Sequence, residues 1–372
     1  MNNRNEKLAH NLIYNSISLR KNENILVEVI GEDGLALANE IIRQAKIIKA
    51  NPQLNIINYR NLRDFLVTAT KEEIIAYGRR DYERMKGMQA YIGISAPTSD
   101  NVLKGVSQEK LGLYNKYYTA LVHLEQRVKH TKWCILRYPN KYFAKKSNMT
   151  LNEFKDFYYN VCNVDYNKMK NAMDPLKELM NKTDKVHILA PDTDLTFSIK
   201  GIPAEKYYGT FNMPDGEVAT CPVKNSVNGY ITYNTKTKYN DIVFEDIRFD
   251  FKDGKIIKAT AKEKSKELNE ILDTDDGARY IGEFAFGLNP YINNTMCDTL
   301  FDEKINGSFH LTPGMALEES DNGNRSAIHW DIVKILKKEF GGGKIYFDNI
   351  LIMKDGEFIL EDLKQLNAEY LK

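Results

Sequence analysis

The hydrophobic period of this chain changes once, near residue 195, and that change limits the folds open to it. Before it, apolar runs at strand spacing alternate with runs at helical spacing. Residues 4–19 read as a first helix, with Leu8, Leu12 and Leu19 at helical intervals. Ile25-Leu26-Val27-Glu28-Val29-Ile30 is rich in branched residues and reads as a buried strand. Residues 35–48 read as a helix and 53–59 as a second strand. The alternation continues through a helix over 72–78, a strand over 90–95, a helix over 111–129 and a strand over 133–138. Thr150 and Glu153 form a capping box for a helix over 151–162. A helix over 165–181 and a strand over 185–190 complete the series. Strands separated by helices predict a parallel sheet with right-handed crossovers.

After residue 195 helical periodicity becomes rare. Gly229-Tyr230-Ile231-Thr232-Tyr233 alternates, and Asp253-Gly254 separates the runs 249–251 and 255–257 as a hairpin turn does. Asp355-Gly356 separates 345–347 from 358–360 in the same manner. Only 259–273 reads as a helix. The fold class expected is an α/β N-terminal domain with a parallel sheet, residues 1–198, joined to a mostly β (α+β) C-terminal domain, residues 199–372. A length of 372 residues suits two such domains.

Charge and cysteine content narrow the function. Fifty-two Lys and Arg against 51 Asp and Glu leave a net charge of +1, which supports neither nucleic acid nor an anionic membrane as a partner. No apolar run approaches the roughly 20 residues of a membrane helix, and the first residues lack an apolar signal core. The four cysteines are scattered without a CxxC pair, the usage of a reduced, cytoplasmic protein. The chain holds no P-loop, GxSxG elbow or dinucleotide fingerprint.

The candidate chemistry lies between Gly282 and Asp331. Two of the chain's six histidines, His310 and His329, fall there among Glu283, Asp302, Glu303 and Asp331, with Glu217 upstream in a Pro-Asp-Gly-Glu turn. Imidazole mixed with carboxylate is a ligand set for zinc, cobalt or manganese. His329 and Asp331 are two residues apart, so on a strand they share a face. Glu283 stands inside an apolar segment, where an unpaired carboxylate is costly. Its apolar flanks predict a raised pKa and make it the expected general base. Asp302-Glu303-Lys304 taken alone reads as a solvated, salt-bridging turn, and His187 as a core histidine of its strand.

Five segments in order carry a resemblance: Met213–Val218, Arg279–Glu283, Leu300–Lys304, Ser308–Leu311 and Asn324–Asp331. Together with the Leu26-Val27-Glu28 strand and Asp192-Thr193-Asp194-Leu195-Thr196, they resemble the thermophilic metalloaminopeptidase family over nearly the whole chain. The resemblance implies two divalent metal ions, zinc, cobalt or manganese, held by Glu217, Glu283, Glu303, His310, His329 and Asp331. It also implies peptide substrates shortened from the N-terminus by a metal-activated water, and a homodimer. One departure is evident. The family pattern has a catalytic tyrosine seven positions after its first ligand histidine, and here that position is Leu317. Tyr280 and Tyr346 are the sequence candidates to supply the missing phenol. With that phenol lost, another binuclear amide hydrolase and a weakly active, metal-binding dimeric scaffold remain alternatives.

Overall fold

The computed structural model describes residues 3–99, 102–239 and 242–372. Two compact units divide the chain, residues 1–163 with 209–213, and residues 164–208 with 214–372. The division falls at Asn163, not at the expected 198, for a reason visible in the pairing. The strand Lys185–Ala190 ends the helix-and-strand series in sequence, but it bonds antiparallel to Thr193–Ser198 and to Lys344–Phe347. Those partners belong to the second unit.

The first unit is the expected parallel sheet. Strands β1 (Asn24–Ile30), β2 (Asn51–Ile57), β3 (Ala90–Ser95) and β4 (Lys132–Arg137) lie in the order β2-β1-β3-β4, with Asn212–Met213 added beside β4. The pairs among these strands are parallel. The central strand β1 is buried along Ile25–Val29, which explains its unbroken apolar run. Helix Leu35–Ile47 lays Leu37, Ala38, Ile41 and Ala45 into the core. Helix Leu151–Cys162 begins at the Thr150–Glu153 capping box read from the sequence. A second box, Thr70 with Glu73, opens a helix that runs from Lys71 to Lys86, well past the expected 78.

Local chemistry explains where expectation and structure part. The second strand stops at Ile57 because the Asn58 side chain accepts the Arg60 and Asn61 N–H groups and caps an unforeseen helix, Tyr59–Thr68. The helix expected over 165–181 breaks into Tyr166–Ala172 and Asp174–Lys182, where Pro175 can stand only in a first turn. The helix expected over 259–273 is confined to Ser265–Leu272, because Lys255–Thr260 is claimed by its hairpin partner Arg248–Lys252. Asp355-Gly356 does turn a hairpin, but between Ile350–Lys354 and Glu357–Phe358. Lys344–Phe347 pairs instead with Ile350–Lys354 through Asp348 and Asn349, both at positive φ as a type I′ turn requires.

The second unit holds an eight-stranded sheet and a five-stranded antiparallel sheet. The smaller one consists of β5 (Glu205–Tyr207), β6 (Glu217–Thr220), β7 (Ile281–Gly287), β8 (Ser308–Pro313) and β9 (Ile332–Ile335), in the order β9-β8-β7-β6-β5. Its two faces differ sharply. Val218, Phe284, Phe286, Phe309, Leu311 and Ile332 alternate onto one side and are fully buried. Phe284 meets Phe197 at 5.0 Å, and Phe286 meets Phe347 at 6.1 Å, so this side packs on the larger sheet. Each buried aromatic contributes roughly 1.5–3 kcal/mol of burial. The other side carries Glu217, Ala219, Glu283, Ala285, Gly287, Ser308, His310 and Thr312, as the pairings Gly287↔Glu217, Ala285↔Ala219 and Ala285↔His310 require. Small residues in its middle leave room beside the charged ones.

Two glycines set this geometry. A bulge between Ile281 and Glu283 shifts the register, so that Glu283 shares a face with Thr312 and His310. At Gly282 in that bulge a Cβ would meet the Met315 carbonyl oxygen at 2.2 Å. At Gly287 a Cβ would meet the Ile305 oxygen at 2.3 Å and the Glu303 oxygen at 2.9 Å, all backbone atoms. Gly287→Ala must therefore displace the segment that carries Glu303. It is expected to cost about 1–3 kcal/mol. A thermal melt of the purified variant checks this, and an unchanged melting temperature would contradict the packing described.

Candidate metal centre

Four of the expected site residues stand on or beside neighbouring strands of the small sheet: Glu217 on β6, Glu283 on β7, His310 on β8, and Asp331 just before β9. His329 joins them by bridging to Gly314, past the end of β8. Between His329 and Asp331, Trp330 is buried on the opposite side, where its indole N–H donates to Thr237 Oγ1 at 3.1 Å and its ring lies 4.9 Å from Tyr239. Anchored there, Trp330 turns residues 329 and 331 the same way, although the regular strand begins only at Ile332.

The side chains converge closely. His310 Nε2 is 3.3 Å from Glu283 Oε1 and 3.8 Å from Glu217 Oε2. His329 Nε2 is 3.2 Å from Glu283 Oε2 and 3.3 Å from Asp331 Oδ1. Glu283 thus gives one oxygen to each histidine. Thr312 Oγ1 donates to Asp331 Oδ1 at 2.6 Å. The Met315 carbonyl lies 2.9 Å from His329 Nδ1, which places that proton on Nδ1 and leaves Nε2 free to ligate. Exposure grades across the cluster, from a His310 side chain 1 % exposed to a His329 side chain 35 % exposed. His329 forms the rim through which solvent or a substrate reaches the rest.

Beneath the rim lies a group that the sequence concealed. Lys304 is buried, with its ammonium 2.5 Å from Glu217 Oε1, 2.8 Å from Glu303 Oε1 and 3.4 Å from Asp215 Oδ1. The solvated turn expected at 302–304 is therefore an interior ion cluster. Its residues follow one another in a short helix and its end, which turns Glu303 and Lys304 inward. Asp302 is buried too, but it is occupied separately by the Met296 N–H at 2.6 Å, and burial pushes its carboxyl up to about 7. Glu303 belongs to neither group of ligand atoms described below and adjoins Glu217 through the shared Lys304 ammonium. Lys304 and Asp215 were missed because nothing in an Asp-Glu-Lys triplet distinguishes an interior cluster from a surface one.

The charges hold one another in unusual states. Burial pushes Glu217 up to about 7 against the pull of Lys304, and it pushes Glu303 well above the carboxylate range. Burial also acts to raise Glu283, but hydrogen bonds from His310 and His329 prevail and hold it below its ordinary value. That reverses the raised pKa expected from its apolar flanks. Burial disfavours a protonated His329, yet Asp331 and Glu283 outweigh it and carry that imidazole up to about 12. Asp331 is correspondingly held far below the carboxylate range despite its burial.

The arrangement fits cations. Two sets of ligand atoms, Glu217/Glu283/His310 and Glu283/His329/Asp331, each lie within 4.8 Å of one another and share Glu283. Glu217 Oε2 and His310 Nδ1 are buried without a hydrogen-bond partner among the described residues. The mixture of imidazole and carboxylate donors is one that zinc, cobalt and manganese accept.

This fold and donor set are those of a metal-dependent peptidase. More narrowly, residues 1–358 match the family described as thermophilic metalloprotease (M29), and the chain belongs to that family. It is similar to aminopeptidase PepS of Streptococcus thermophilus, 25 % identical over 410 aligned positions that span 95 % of this chain and 98 % of the relative. It is also similar to aminopeptidase T of Thermus aquaticus, 30 % identical over 156 residues, 38 % of this chain and 37 % of that one. The solved structure of wild-type AmpT from Thermus thermophilus superimposes with a TM-score of 0.76 over 96 % of this chain and 99 % of that chain at 20 % identity, a likeness of fold. No helix among the described residues is long and apolar enough to cross a membrane.

Lys304→Met removes one cation and strands three buried carboxylates. In chelator-treated protein this is expected to cost about 3–5 kcal/mol, the usual effect of breaking a buried ion pair from one side. Chemical denaturation measures it. A variant as stable as the parent would mean that Lys304 does not balance the cluster.

Proposed function

We propose that this metalloprotease is an aminopeptidase that removes N-terminal residues from peptides, with two divalent ions sharing Glu283. The observation that carries the reading is the division of Glu283, one oxygen facing His310 and the other facing His329. A carboxylate so placed is built to bridge. Charge supports the count of ions. Asp215, Glu217, Glu283, Glu303 and Asp331 are five buried carboxylates that touch Lys304 or a site histidine, and Lys304 is the one permanent cation among them. Five minus one leaves four negative charges, the charge of two divalent ions. Glu217 and His310 would hold one ion, His329 and Asp331 the other.

Ions bound there supply an acidified water and polarise the scissile carbonyl. The protein's own residues do the rest. Thr312 and the Met315 carbonyl fix the directions of Asp331 and His329. Glu283, with both oxygens committed and its pKa lowered, is unsuited to move a proton. Glu303 is the better base in this reading, since its pKa is raised and only its Oε1 meets Lys304. It can take a proton from water and return it to the leaving amine. The excess of negative charge favours a substrate that presents a free α-ammonium group, which suits removal of a terminal residue. The relatives named aminopeptidases support the same reading. A homodimer belongs to it as well.

The test is hydrolysis of leucyl-anilide after metal removal and after re-addition of cobalt or zinc. Activity should vanish with the metal and return with it. His329→Ala should lose turnover and bound metal together while keeping its circular dichroism, because the imidazole sits at the rim and outside the aromatic core. Full metal content and turnover in that variant would remove His329 from the site. No hydrolysis of any aminoacyl substrate by the metal-loaded parent would leave only a binding scaffold.

A further inference from the structure

The site face carries one phenol that the metal cage does not use. Tyr207 stands on β5, directly opposite Glu217 of β6 in the antiparallel register. Opposed residues of antiparallel strands project to the same face, with Cβ atoms about 4.5–5.5 Å apart. Tyr207 therefore flanks Glu217 on the face that bears Glu283 and His310. Its side chain is half-buried, at the edge strand of the sheet and open to an incoming ligand. The charged groups acting on its hydroxyl include Glu319, Glu283, Glu217 and Lys304. Burial first, and then the three carboxylates, raise its pKa against the opposing pull of Lys304, so the phenol keeps its proton throughout the working pH range.

The other donors around the cluster are committed. The Lys304 ammonium faces three carboxylates. Thr312 Oγ1 donates to Asp331, and the Leu317 amide donates to the Gly282 carbonyl at 3.4 Å. The Leu317 side chain has no donor. The two tyrosines suggested by the sequence stand elsewhere. Tyr346 lies on the eight-stranded sheet opposite His187, and Tyr280 packs against the Lys224 ammonium at 4.8 Å.

We propose that Tyr207 is a catalytic residue whose hydroxyl donates a hydrogen bond to the oxyanion formed on the scissile carbonyl. This rests on the aminopeptidase reading above. When water adds, a carbon–oxygen bond forms, the carbonyl π pair moves onto oxygen, and the water proton passes to Glu303. Collapse of the tetrahedral species restores the carbonyl, breaks the carbon–nitrogen bond and returns that proton to the amine. Tyr207 keeps its own proton and contributes only the hydrogen bond.

The experiment pairs two measurements on metal-loaded parent and Tyr207→Phe. Turnover of leucyl-anilide should fall about 10²–10³-fold in kcat, the usual loss for one oxyanion donor, with KM and metal content little changed. Calorimetric titration with the phosphonic acid analogue of leucine, a tetrahedral anion, should show binding weakened at least about tenfold, while binding of free leucine is unaltered. A Tyr207→Phe variant that turns over like an active parent overturns the assignment and leaves the aminopeptidase reading intact. If the parent itself is inactive, the titration still decides, and equal phosphonate affinity in the two proteins overturns it. Parallel loss of affinity for both phosphonate and leucine also overturns it, since that pattern marks general damage to the pocket.

Discussion

Concentrated negative charge, buried and shared around a single lysine, is the constraint on which the second unit turns. Lys304 neutralises only part of it, through contacts with Asp215, Glu217 and Glu303. Carboxylates removed from water cost several kcal/mol each unless paired. The histidines answer locally: Asp331 and Glu283 favour a protonated His329, pushed up to about 12, and so stabilise themselves with borrowed positive charge. A divalent ion does the same work better, because it also supplies direct bonds to the oxygens. Cation binding and the integrity of this sheet are therefore coupled.

The scaffold tolerates this strain by separating the two faces of one sheet. On one side Phe284, Phe286 and Phe309 interlock, with ring centroids 5.1 and 6.2 Å apart, and pack on the larger sheet. On the other side Ala219, Ala285 and Gly287 keep the floor low beneath the charged groups. The bulge at Gly282 joins the two requirements, since a register without it would turn Glu283 out of line with His310. Apolar packing thus holds the ligands in place from behind.

How much of this could be read in the sequence follows from the range of each interaction. Strands 90–95 and 185–190 and the helix over 151–162 were legible to the residue, since period, capping box and proline punctuation act locally. The candidate ligands were legible through residue type and through the i, i+2 spacing of His329 and Asp331, which Trp330 enforces from the opposite side. The division at Asn163 was not, because Lys185–Ala190 finds a partner about 160 residues later in Lys344–Phe347. Burial of Lys304 was equally hidden, because it depends on Asp215 and Glu217, almost 90 residues earlier. Tyr207 could not have been singled out from among 22 tyrosines without the β5–β6 register.

The central claim is that Glu283 bridges two cations. Anomalous diffraction from crystals loaded with cobalt tests it most directly. The account predicts two peaks roughly 3.5–4 Å apart, one bounded by Glu217, Glu283 and His310, the other by Glu283, His329 and Asp331. A single peak, or a pair in which Glu283 contacts only one ion, would contradict it.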